Sequence, residues 1–79
     1  MKVTYDPEVD AMYIELRALA PGEAQNRDLG NGIIADFAPD GRLAGIEILD
    51  ASIVLGDSPD RIVVELAPAH RAMSTQNTR

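Results

Sequence analysis

The chain has no cysteine and no tryptophan, and its only aromatic rings are those of two tyrosines, one phenylalanine and one histidine. Without cysteine there is no disulfide framework, no thiolate metal site and no redox chemistry at sulfur, so stability has to come from packing. The single histidine, His70, has no second imidazole, no HExxH arrangement and no thiol with which to hold zinc or form a nucleophile and base couple. Tyr5, Tyr13 and Phe37 are too few and too separated for a base-stacking platform, and on strands they suit core or cross-strand packing. Long apolar runs are also missing. Stretches such as Ile33–Ala35 and Ala51–Leu55 fall far short of the roughly 20 residues a membrane helix needs. The opening "MKVTYD" lacks the basic and then apolar layout of a secretory signal. These absences lead us to expect a cytoplasmic protein that does not engage a membrane.

Basic residues are scarce as well. Seven Lys and Arg stand against thirteen Asp and Glu, for a formal charge of −6. Such a field repels phosphate backbones and removes the counterion release on which nucleic-acid binding rests, so direct DNA or RNA binding is not expected. It favours encounter with a basic protein surface, although acidity of this size is also an ordinary solubility device. At 79 residues the chain is one domain at most, near the size where a single core is marginal, and a homodimer is expected to supply the missing burial.

What is present is mostly alternation with a period of two. "KVTYD" turns Val3 and Tyr5 inward against Lys2 and Thr4, and "AMYIELR" separates Met12, Ile14 and Leu16 from Tyr13, Glu15 and Arg17. "DPEVD" between them carries turn chemistry, so an antiparallel hairpin is expected. After "ALAPGEA", "QNRDL" is so polar that any strand there lies at an edge or faces water on both sides. "GNG" at 30–32 is a turn, and "IIADF" is a strand. In "APDGRL", Pro39 and Asp40 suit the second and third positions of a type I turn, with Gly41 left-handed before a bulge. "LAGIEIL" follows with Ile46 and Ile48 opposite Glu47, and Gly45 marks a bend or a close backbone approach.

Asp50 is expected to cap a short helix over Ala51–Leu55 with its carboxylate, and Gly56 to end that helix. Residues 61–67 are read as a further strand from the alternation of Ile62, Val64 and Leu66, stopped by Pro68. The expected fold is therefore α+β, an antiparallel β-meander of four or five strands with one short helix packed on one face. Residues 1–67 form the domain and 68–79 a flexible tail.

The acids are the commonest potential catalysts. Asp6, Glu8 and Asp10 have the spacing of the first calcium-loop ligands, but such a loop needs glycine at position 11 and glutamate at position 17, where Ala11 and Arg17 stand. Asp36 and Asp40 flank a turn, and Asp36 and Glu47 approach across a hairpin, which invites comparison with paired glycosidase carboxylates. A hairpin surface is too shallow to raise a carboxyl pKa by burial, so turn formation and hydration explain these acids better. Ser52 and Ser58 sit where hydroxyls cap helices, Ser74 has no base partner, and the glycines match no phosphate-binding loop. No catalytic, cofactor-binding or metal residue is assigned, and no cofactor is implied.

"YDPEVDAMYIEL" (5–16) and "GIIADFAPDGRLAGIEILDAS" (32–52) together resemble the YuzE-like family of small prokaryotic proteins of unknown function, over about residues 2–56. Asp6-Pro7, Asp10, Asp40-Gly41 and Ile46-Glu47 match its pattern, while Ala38 stands where many of the family's members place a polar or acidic turn residue. The resemblance implies a small α+β domain with an antiparallel sheet and, for some members, an antitoxin-like role beside a small toxin protein. It supplies no reaction and no catalytic residue. Two functions are thus carried forward. One is a non-enzymatic interaction module, antitoxin-like, that pairs with itself and with a small basic protein. The other is a small-ligand or metal-binding protein, or an enzyme, whose site forms between subunits around Asp36, Glu47 or Asp50.

Overall fold

A computed structural model describes residues 1–56 and 59–68. It contains β1 (Lys2–Asp6), β2 (Ala11–Glu15), β3 (Gln25–Gly30), β4 (Ile33–Phe37), β5 (Leu43–Leu49) and α1 (Ala51–Val54). The strands form one antiparallel sheet in the order β1-β2-β5-β4-β3. A hairpin, β1–β2, and a three-stranded meander, β3–β4–β5, are therefore joined where β2 lies against β5. The chain between β2 and β3 crosses without adding a strand, so the meander is broken once. The polar "QNRDLG" is indeed a strand, exposed along its whole length at one edge.

Turn chemistry fixes the registers. Gly41 N donates to Ala38 O at 2.9 Å, closing a turn with Pro39 and Asp40 at its centre and Gly41 at φ 86°. Asn31 and Gly32, at φ 56° and 80°, form the two-residue link between β3 and β4, where Gly30 pairs with Ile33. Two successive positive φ values belong to the primed hairpin turns, whose twist suits the flanking strands.

Facing residues in the register share a side of the sheet. Val3, Tyr5, Met12, Ile14, Ile33, Ala35, Ile46 and Ile48 fall on one side, and Asp6, Tyr13, Glu15, Asp28, Asp36 and Glu47 on the other. The apolar side centres on Met12, Ile48 and Ala51, with Val3, Tyr5, Ile14, Ile33 and Ile46 packed around them and only partly buried. Most of the buried apolar residues are alanines, namely Ala35, Ala38, Ala44 and Ala51. The core is consequently small.

Three expectations change. Residues 61–68 form no strand. Val63, Val64 and Leu66 are largely exposed there: alternation sorts side chains to two sides but does not by itself pair a backbone into a ladder. β2 ends at Glu15: Leu16 N and Arg17 N both donate to Ala44 O, at 2.8 and 3.1 Å, and this break in the ladder leaves Leu16 exposed. Asp50 stands at the N-cap position but in left-handed geometry, φ 52° and ψ 47°, with no side-chain capping bond. An N-cap side chain reaches its amides from extended backbone, so this carboxylate cannot turn back onto α1. Gly56, at φ 68°, follows the helix as expected. Ser58, His70, Ser74 and the stretch 69–79 lie outside the described residues.

Candidate functional site

Two polar clusters organise the molecule. The first centres on Asp10, in the β1–β2 turn at φ 53°. Tyr5 Oη donates to its Oδ1 at 2.7 Å, Ser52 Oγ to its Oδ2 at 2.6 Å, and Ser52 N to Oδ1 at 3.0 Å and Oδ2 at 3.3 Å. Ala51 N adds a bond to Asp10 O at 2.9 Å. Asp10 thus caps α1 from a distant part of the chain, the task that Asp50 leaves undone. The hydroxyl of Ser52, followed by that of Tyr5, holds the Asp10 carboxyl below its ordinary pKa, and the Asp10 carboxylate holds Tyr5 above its own.

The second cluster crosses the acidic side. Tyr13, on β2, extends its ring over Gly45 of β5, where a Cβ would collide with the hydroxyl. The hydroxyl reaches β4 and donates to Asp36 Oδ2 at 2.8 Å. The other carboxylate oxygen of Asp36 accepts from Asn26 Nδ2 on β3, its directly facing residue. This line ties β2, β4 and β3 across β5, and Gly45 is the gap that admits it. Burial raises the Tyr13 pKa most, the bond to Asp36 next and the fields of Glu15 and Glu47 last, to about 12. The hydroxyl is therefore a fixed donor at neutral pH and not a base.

The acids singled out in the sequence do not gather into one site, although Asp36 and Glu47 share the acidic side around Tyr13, diagonally placed across β4 and β5. Asp6 Oδ1 accepts from Glu8 N at 3.0 Å, a local turn bond, while Asp10 faces Tyr5 and Ser52. Glu47 faces Ile34 and Tyr13 in the register, and Asp36 faces Gly45 and Asn26. Asp40 accepts from Arg42 N at 3.0 Å and from Arg17 Nη1 at 3.2 Å, and the first of these, then the second, lowers its pKa. Among the described residues no group of three His, Cys, Asp or Glu side chains is placed to hold a metal ion. No described helix is long and apolar enough to cross a membrane. On the apolar side an open groove of about 580 Å³ runs past Val3, Tyr5 and Pro7 to Pro59, Asp60 and Ile62.

The sequence alone did not reveal either cluster. Asp10 looks like an ordinary turn acid, and only the β2–β5 pairing brings it to Ser52. The signal for the second was Gly45, whose close approach turned out to be a tyrosine ring.

The fold and these two clusters define a small α+β domain whose polar residues bind its own elements together. Residues 2–52 match a family model described as a protein of unknown function (DUF2283), and the chain belongs to that family. Comparison with curated proteins and with solved structures finds no match.

Proposed function

We propose that this chain is a non-enzymatic protein-interaction module, a YuzE-like domain acting in the cytoplasm as a homodimer and, antitoxin-like, as the partner of a small basic protein. The incomplete cover of the apolar side is the main support. Val3, Tyr5, Ile14, Ile33 and Ile46 are only partly buried, and Ile53 on α1 is 78% exposed. One turn of helix is small against five strands, and apolar surface of this kind marks an interface in a protein that stays in solution. The opposite side contributes charge. Asp6, Glu15, Asp28, Asp36 and Glu47 lie on it with Lys2, a field that would steer a basic partner into contact.

The test is to purify the tagged chain from its native cell, identify co-purifying proteins and reconstitute any pair from pure components. A basic partner whose association rate falls steeply with salt supports the reading. Recovery of no protein other than this one removes the partner, and a monomeric mass by light scattering at micromolar concentration removes the homodimer.

A further inference from the structure

We propose that the homodimer forms edge to edge through β1, with two copies pairing antiparallel about Thr4 to make one continuous ten-stranded sheet. The inference rests on the homodimer reading above and specifies its surface. β1 is an outermost strand, and its outer backbone edge is a template for another strand. Its five residues, Lys-Val-Thr-Tyr-Asp, complement their own reverse. With Thr4 facing Thr4 of a second copy, Lys2 stands opposite Asp6 and Val3 opposite Tyr5, each twice across the two-fold axis. Opposite charges meet on the acidic side and apolar side chains on the other, the cross-strand pairs that stabilise a sheet. An isologous contact requires this self-complementarity. Either set of outward backbone groups is compatible with a register centred on Thr4, because a two-fold axis can pass through either kind of antiparallel residue pair.

The other edge is unsuited to the same use. Centring β3 on Arg27 or on Asp28 sets identical charges against each other. The register of β3 also shifts between Asp28 and Gly30, where Gly30 N donates to Asp28 Oδ1 at 2.8 Å. Charges and irregular ladders are how proteins keep an edge from pairing. At β1 the groove past Val3, Tyr5, Pro59 and Ile62 lies beside the seam, so a second copy would add apolar burial to the backbone bonds.

The chain has no cysteine, so Thr4→Cys introduces a single thiol. Under mild oxidation, or with a short bismaleimide, this variant is expected to cross-link nearly completely at micromolar concentration, and Arg27→Cys on β3 is expected to stay uncross-linked. Lys2→Asp should weaken the dimer at least tenfold in Kd by equilibrium sedimentation, and Lys2→Asp with Asp6→Lys should restore it. Asp6 also serves its own turn, so if the double variant does not fold by circular dichroism, the Thr4→Cys result decides. A dimeric wild type whose Thr4→Cys variant does not cross-link would overturn the β1 seam and leave the interaction module standing. A monomeric wild type would overturn both the seam and the homodimer.

Discussion

Asp10 and Ser52 are joined by three hydrogen bonds, from the amide of Ser52 to both carboxylate oxygens of Asp10 and from its hydroxyl to one of them. The turn of the first hairpin thereby holds the start of the only helix among the described residues. Replacing Asp10 with alanine removes the cap and puts an ordinary side chain at φ 53°, a backbone region that asparagine and aspartate tolerate better. Asp10→Ala is expected to lower Tm by on the order of 5 °C or more, and Asp10→Asn by less. Thermal unfolding followed by circular dichroism ranks the two variants.

The same carboxyl sets an acid limit. The folded pKa values of Asp10 and Asp40 lie below the ordinary 3.8, so their contribution is full above that value and disappears as pH falls through the lower folded values. Urea midpoints should be flat near neutrality and drop below about pH 4. Asp10→Asn should flatten part of that drop.

At the alkaline end the sign reverses. Tyr13 has its pKa raised from 10.0 to about 12, so its contribution is complete below pH 10 and is lost as pH climbs towards 12. A tyrosinate absorbance titration should show a late step that Tyr13→Phe abolishes. Losing the hydroxyl bond to Asp36 should cost about 1 kcal/mol.

Gly45→Ala would place a methyl group against the Tyr13 hydroxyl, so the ring must leave Asp36. We expect a loss of roughly 1–3 kcal/mol. The two positions should couple, with Gly45→Ala costing much less in a Tyr13→Ala background. Additive effects in a double-mutant cycle would contradict the gap described at Gly45.

Core and surface should separate cleanly. Ile48 is 8% exposed within the central cluster, and Ile48→Ala should cost about 2–5 kcal/mol, enough to unfold a domain with so small a core. Ile53→Ser on exposed α1 should leave the monomer within about 0.5 kcal/mol of wild type. Denaturant melts of both variants provide the comparison.

Much of the sheet was legible because its cues are local. The alternation of Val3 with Tyr5, of Met12 with Ile14 and of Ile46 with Ile48 assigns faces directly, and Pro39-Asp40-Gly41 and Asn31-Gly32 carry their backbone geometry in their residue types. The β2–β5 pairing has no such cue, since nothing in "AMYIE" names "LAGIEIL" as its neighbour. Everything that depends on that pairing was hidden too, including the Asp10 cap and the ring of Tyr13 over Gly45. The stretch 61–67 shows the converse error: its alternation is real, but it joins no ladder, and side-chain periodicity alone does not supply the backbone pairing that makes a strand. Asp50 failed as a cap for a conformational reason, its left-handed φ, which composition does not announce.

The joint between β2 and β5 also has a kinetic consequence. The hairpin and the three-stranded block each close through short loops, whereas their union matches residues as distant as Ala11 and Leu49. Loop-closure entropy makes that union the slow event in assembly. Because the helix cap is completed by the same union, α1 should acquire amide-exchange protection only when the two blocks dock, making the helix a late reporter of folding.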